Sequence, residues 1–308
     1  MEVAEHPVSL EDQLRSAFQT HFEVSAATEP HLAAALEETL GRSGNLVRAH
    51  LSFSMARAYD LPREAAVNLA IAMEYFHTSS LLFDDLPCMD DATHRRGADC
   101  VHRRHGEPIT ILTALSLINR AYALLWAVLG QATTGSRTEA AAYVERYLGI
   151  GGLLNGQSHD LHYAKIPHPQ RSPQQVAIGK TVALIRLALV LPAIVGGASA
   201  RSVRLLDRLA VLWGLAYQAL DDLRDVLHDT ERAGKTTSRD RLLDRPNLAL
   251  TLGPAATVVR LKKLVHLGQR LAGALQASDP ALRCLREPAE RLEREVSALS
   301  AEVVRAHA

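Results

Sequence analysis

His77-Thr-Ser79-Ser80-Leu-Leu-Phe-Asp84-Asp85-Leu-Pro87-Cys-Met-Asp90-Asp91 and, far downstream, Tyr217-Gln218-Ala-Leu-Asp221-Asp222-Leu-Arg-Asp225 are two apolar stretches that each run into a cluster of carboxylates. Apolar residues recur at spacings of three and four through 65–83 and 202–226, the segments that end in these clusters. The same period runs through 32–40, 109–129, 140–154, 176–194, 256–275 and 282–304. Alternating β-branched runs bounded by hairpin turns are missing, and Pro and Gly gather between the periodic segments, as at 167–173. The reading is an all-α, single-domain helical bundle spanning 29–308. Residues 1–28, with weaker periodicity, form an N-terminal arm. Trp126 and Trp213, inside apolar helical segments, are read as core.

Composition narrows the function classes. A chain of 308 residues, 47% hydrophobic, buries a large core without disulfide or metal staples. Its 34 basic and 34 acidic residues cancel, so no net field draws it to nucleic acid or an anionic membrane. Three cysteines, Cys88, Cys100 and Cys284, lack CxxC spacing and suit a reducing, cytoplasmic compartment. Glu2, Glu5 and Pro7 do not make a leader, and the most apolar stretch, 184–197, is interrupted by Arg186 and Pro192, so no membrane span is expected.

Chemistry follows from the paired clusters. Asp221 and Asp225 are four apart and share one helix face, where two hard carboxylates suit Mg²⁺ shared with phosphate oxygens. Pro87 ends the first helix, so Asp84 and Asp85 close it, and Asp90 and Asp91 lie on a turn that folds back. Cations accompany the acids: Arg95 and Arg96, then His102, Arg103 and Arg104, Lys180 with Arg186, and Lys235. Carboxylates opposed by cations make sense around a metal-bridged diphosphate, whose departure Mg²⁺ and Lys/Arg assist together. One acidic cluster alone would read equally well as solvated helix-end charge; two, each on a core-like helix, do not.

These residues resemble the trans-isoprenyl diphosphate synthases. The first cluster with Arg95-Arg96-Gly97 is similar to the family's first aspartate-rich motif in its longer bacterial form, and Tyr217 to Asp225 with Gly234-Lys235 and Asp240 to the second. Weaker echoes are Gly156-Gln157 with Asp160, Lys180-Thr181, His102 with Gly106-Glu107, and Arg48. The resemblance implies a homodimer and Mg²⁺, as three ions, on Asp84, Asp85, Asp90, Asp221, Asp222 and Asp225. It implies Arg95, Lys180 and Lys235 on the allylic prenyl diphosphate and Gln218 and Thr181 beside the departing group. Arg48, His77 and Arg96 would serve isopentenyl diphosphate. Asp84, Asp85, Asp221, Lys180 and Gln218 are then the catalytic set. In similar enzymes a bulky aromatic five residues before the first aspartate limits the chain; here Ser79 and Ser80 are small and Phe76 is the floor, which favours a twenty-carbon product.

The departures bear on the second substrate. Where the family carries Gly-Gly-Lys-Arg-x-Arg-Pro, this chain has Ser43-Gly44-Asn45-Leu46-Val47-Arg48-Ala49, one cation of three. Each lost charged contact to a diphosphate costs about 1.5–3 kcal/mol. Ala114-Leu115 and Arg245 are also off-pattern. The resemblance therefore implies a Mg²⁺-dependent trans-prenyltransferase making geranylgeranyl diphosphate, with a rival: a class I terpene synthase of the same lineage that cyclises or hydrolyses a C15 or C20 diphosphate without isopentenyl diphosphate. A non-catalytic modulating subunit fits poorly, because it has no need of two complete acidic clusters.

Overall fold

Capping residues at the starts of apolar segments set most helix boundaries in the computed structural model, which describes residues 9–167, 172–237 and 239–306. Ser9 accepts the Asp12 N–H to open α1 (Leu10–Thr20), and Pro30 stands in the first turn of α2 (Pro30–Gly41). Then come α3 (Val47–Ala58), α4 (Arg63–Asp84), a two-residue antiparallel hairpin of β1 (His94–Arg95) and β2 (Ala98–Asp99), α5 (Val101–His105) and α6 (Glu107–Leu129). The chain continues through α7 (Thr134–Leu148), α8 (Leu153–Leu161), α9 (Pro173–Val195) and α10 (Ala200–Leu227). Short α11 (Thr230–Ala233), α12 (Arg239–Leu242) and α13 (Leu248–Leu252) lead to α14 (Pro254–Ser278) and α15 (Arg286–Ala306).

The fold is the expected all-α bundle. α4 packs between α3 and α6, and α9 against α3, α7, α8 and α10. In α9 Leu187, Leu189, Val190 and Leu191 are all fully buried, each worth roughly 1.5–3 kcal/mol of apolar transfer, so α9 is an interior helix rather than an amphipathic surface one. By length and composition alone α6 and α9 would suffice to cross a membrane, despite Arg186 and Pro192. In the bundle 72% of the most apolar stretch of α9 is buried, against 39% for α6.

Four local expectations change. The stretch 140–154 is not one helix: it breaks at Gly149–Gly152, where a Cβ on Gly152 would lie 2.4 Å from the Tyr147 carbonyl oxygen. Residues 10–20 are a docked helix rather than a loose arm, with Leu14 and Phe18 buried and the Tyr75 hydroxyl donating to the Phe18 carbonyl at 2.8 Å. Residues 1–8 of that arm, and 168–171 of the Pro-rich connection, lie outside the described residues. Residues 47–58, whose apolar stripe is broken by Arg48, His50 and two serines, form α3. Trp213 is core, but Trp126 is 58% exposed, stacked on Tyr122 along the outward face of α6.

Candidate active site

The first acidic cluster folds as its proline dictates. α4 ends at Asp84, and the chain turns back so that the Asp90 N–H donates to the Asp84 carbonyl at 2.9 Å and the Asp91 N–H to that of Leu86 at 3.0 Å. Asp85 is buried and holds Arg95 through two nitrogens at 2.5 and 3.0 Å. Asp84 accepts from Gln157 at 2.7 Å and faces the Lys180 ammonium at 3.6 Å, which in turn donates to Asp160 at 2.9 Å. Burial pushes the Asp84 carboxyl up to about 6, with Asp90 adding to the rise and Lys180 opposing it. Asp90 pairs with Arg245 at 3.3 Å, and Asp91 lies 3.6 Å from Arg239.

On α10 the second cluster divides its labour. Asp221, 52% exposed to the cleft, accepts two bonds from Lys235 at 2.7 and 2.8 Å. Asp225, one turn on, occupies the same helix face. Asp222 points elsewhere: one oxygen accepts from Gln218 at 2.7 Å and the other from the Leu248 N–H at 2.7 Å. Burial raises it to about 8. Both its oxygens thus position Gln218 and the start of α13, which sets Asp222 apart from Asp221. Gln218 also accepts from the Thr181 hydroxyl. Asn247 joins the Asp222 carbonyl to the Asp240 carboxylate at 3.3 and 2.8 Å.

Loops bring the two walls together. Arg95 and Lys235 share an antiparallel bridge, the Gly97 N–H donates to the Gly234 carbonyl at 2.9 Å, and the Thr236 hydroxyl accepts from the Thr93 and His94 N–H groups at 2.8 and 2.9 Å.

Beside the first site a second group of cations gathers: Arg48, Arg96 and Arg95, from separate parts of the chain, all act on His77. Burial, then Arg48, Arg96 and Arg95, lower the His77 pKa far below its ordinary value, so the imidazole is neutral. The Arg48 Nε is buried without a hydrogen-bond partner. Glu74, buried on α4, supplies the facing carboxylate and accepts the Ala49 N–H at 3.0 Å. Arg96 donates to the Arg42 carbonyl, and its guanidinium lies against Gly44, where a Cβ would be 3.0 Å from the nearest nitrogen. On the remaining loop Asn45 is exposed and Leu46 is buried with left-handed backbone. Further down α4, Ser79 is buried with its hydroxyl on the Phe76 carbonyl, Ser80 bonds the His77 carbonyl, and Phe76 packs edge-on to Tyr122 with ring centroids 5.1 Å apart.

Glu74, Arg239 and Asn247 were not singled out from the sequence. Glu74 carries a signal, a carboxylate inside an otherwise apolar helical run; Arg239 opens α12 and Asn247 caps α13, helices too short to show a period.

An all-helical bundle with two aspartate-bearing helix ends facing across one cleft, interleaved with lysine and arginine, defines a trans-prenyltransferase of the isoprenoid synthase class. Residues 29–272 match the polyprenyl synthetase family model. The chain is 32% identical to a geranylgeranyl diphosphate synthase of Pantoea ananas over 80% of each chain. It is 32% identical to a chloroplastic geranylgeranyl pyrophosphate synthase of Capsicum annuum over 73% of its own length, spanning 62% of that relative. In fold it is similar to a geranyltransferase from Helicobacter pylori complexed with magnesium and isoprenyl diphosphate, with a TM-score of 0.79, 24% identity and 94% of both chains covered. It is also similar to an FPP/GFPP synthase from Zymomonas mobilis, with a TM-score of 0.74, 24% identity, and 89% of this chain and 94% of that one covered. The chain belongs to the polyprenyl synthetase family.

Proposed function

We propose that this protein condenses an allylic prenyl diphosphate with isopentenyl diphosphate, giving geranylgeranyl diphosphate. The observation that carries the reading is a pair of adjoining cation clusters, one interleaved with the aspartates, the other of Arg48 and Arg96 beside neutral His77 with Glu74 as its facing carboxylate. A condensing enzyme must hold two diphosphates, of which only one leaves.

Mg²⁺ fits the first site by donor chemistry. Asp84, Asp90, Asp221 and Asp225 are hard oxygen donors, and Asp84, Asp90 and Asp221 are each neutralised by a cation of the chain. Among the described residues no three acids, cysteines or histidines converge tightly enough to cage an ion. That suits ions, three by the family resemblance, completed by diphosphate oxygens. Bound there, Mg²⁺ would supply charge neutralisation for the departing diphosphate. Lys180, Arg95 and Lys235 orient the allylic diphosphate and take up negative charge as its C–O bond breaks. The helix walls exclude water from the cation, Thr181 and Gln218 line the space beside it, and Arg48, His77 and Arg96 hold isopentenyl diphosphate so that its double bond attacks. The released diphosphate takes the proton.

Small Ser79 and Ser80 above Phe76 support a twenty-carbon product. The exposed apolar residues of α6, Ile111, Leu112, Leu115 and Trp126, support a homodimer through that face. The cysteines, all unpaired, support a cytoplasmic location. A second reading, a terpene synthase that uses one diphosphate, is favoured by one observation: Asn45 and Leu46 bring no charge to the second site. Product analysis by mass spectrometry, with Mg²⁺ and farnesyl or geranylgeranyl diphosphate, each with and without isopentenyl diphosphate, tests both. A longer diphosphate formed only with isopentenyl diphosphate supports condensation; hydrocarbon or alcohol formed without it replaces that reading with the terpene synthase.

A further inference from the structure

We propose that Arg291 of α15 supplies a further cation to the second diphosphate site, to which residues 45 and 46 bring none. This rests on the condensation reading above.

α15 is fastened to the end of α10 and to α11 by a ladder of ion pairs. His228 meets Glu302 at 3.0 Å, Arg232 meets the same glutamate at 2.8 Å, and Arg224 meets Glu295 at 2.9 Å. The pairs rise together along both helices, which therefore run in the same direction, so one turn before Glu295, toward the start of α15, comes Arg291, level with the Tyr217–Asp221 face of α10. Electrostatic neighbours agree: Arg291 and Arg48 both act on the Tyr217 hydroxyl, and Arg291 also acts on His50, two residues along α3 from Arg48. Arg291 is half-buried on the flank of α15 that carries the ladder, whereas Arg294 is 66% exposed and paired outward with Glu290.

Charge bookkeeping shows why Arg291 is available. Glu295 accepts from two guanidiniums, Arg224 at 2.9 Å through one oxygen and Arg291 at 3.3 Å through the other. When Arg291 leaves Glu295, Arg224 still neutralises that carboxylate, so no buried charge is stranded. Within the second site, the Arg48 Nε is a buried donor without a partner, which an anion oxygen would satisfy. A diphosphate drawn to Arg48 and Arg96 would thus meet Arg291 from the α15 side, and the planar fork of arginine matches its oxygens.

The test compares wild type with Arg291→Gln, Arg291→Lys and the outward control Arg294→Gln. Isopentenyl diphosphate affinity is measured by calorimetry with Mg²⁺ and a non-ionising thiolo analogue of the allylic diphosphate in place. Steady-state KM values for both substrates are measured alongside. The expected result is about tenfold or greater weakening of isopentenyl diphosphate binding in Arg291→Gln, partial recovery in Arg291→Lys, and no change in the allylic KM or in Arg294→Gln. Unchanged isopentenyl diphosphate affinity in Arg291→Gln would overturn the proposal, as would equal weakening for both substrates, which marks a displaced α15. Wild type that neither binds nor consumes isopentenyl diphosphate removes the condensation reading itself, and this proposal with it.

Discussion

The backbone of Arg95 is bridged to that of Lys235, so the cation that holds Asp85 and the cation that holds Asp221 are neighbours on one antiparallel pair. Loops that follow the two acidic clusters are thereby one structural unit, and its geometry depends on Gly234, which sits at φ +63° and gives its carbonyl to Gly97. A branched side chain at Gly234 costs about 1–2 kcal/mol in that left-handed conformation. Gly234→Val is therefore expected to raise the KM for the allylic diphosphate about five- to thirtyfold with little change in the isopentenyl diphosphate KM. Equal KM values for wild type and variant would show that the bridge does not set the Arg95 and Lys235 positions.

Asp221 and Asp222, adjacent in sequence, are expected to fail in different ways. Asp221 opens to the cleft, and Asp221→Ala, like Asp84→Ala, should lower turnover by about 10²–10³-fold or more. Asp222→Ala strands the Leu248 N–H inside the protein, at a cost of about 1–3 kcal/mol, and should show first as a lower thermal midpoint. A melting curve like that of wild type for Asp222→Ala would contradict the anchoring role, and full activity in Asp84→Ala and Asp221→Ala would remove the metal assignment.

What was legible in the sequence was what has a period or a fixed local geometry. Helices α4, α9 and α10 declare themselves by apolar recurrence, and Pro87 dictates the turn that returns Asp90 to Asp84. Two kinds of feature were hidden. Helix α3 carries Arg48, His50 and two serines among its apolar residues, which erases its apolar stripe. Asp222 looks like Asp221 in the motif, but helix geometry turns it about 100° away, toward α13, and nothing local announces that Leu248 will arrive there. Trp126 was misplaced for a related reason: α6 is apolar on its outer face as well, so period alone does not say which side is inside.

Gly156 and Gly179 let α8 and α9 touch through their backbones. A Cβ on Gly156 would fall 2.3 Å from the Lys180 nitrogen and 2.4 Å from the Gly179 carbonyl carbon. Those atoms are main chain and cannot rotate aside, so Gly156→Ala must part the helices, at about 1–3 kcal/mol. Parting them withdraws Gln157 from Asp84 and Asp160 from Lys180, two contacts at the centre of the first site. The variant is expected to melt lower and to lose turnover more than Gly135→Ala, a glycine whose Cβ would meet nothing within 4 Å. Wild-type activity in Gly156→Ala would mean that the α8 contacts do not tune Asp84.

His77 gives the second site a pH signature whose sign can be worked out. Burial, reinforced by Arg48, Arg96 and Arg95, keeps its folded pKa well below the ordinary 6.5, so the imidazole stays neutral in the folded chain. In the unfolded chain it takes a proton as pH falls through about 6.5. Between that value and its folded pKa the unfolded state therefore binds the extra proton, and stability falls with decreasing pH by up to about 1.4 kcal/mol per unit. Above about 6.5 both states are neutral and the contribution is flat. His21 and His50, also lowered by burial, act with the same sign, so the wild-type curve alone does not isolate His77. Its share is the difference between wild type and His77→Gln in chemical denaturation from pH 7.5 down to about 5, a range set by the ordinary histidine pKa; the variant should lose stability less steeply. A diphosphate at the second site supplies the negative charge that favours imidazolium, so saturating isopentenyl diphosphate should shrink that difference. Parallel curves for the two proteins would mean that His77 does not face the three guanidiniums as a neutral base.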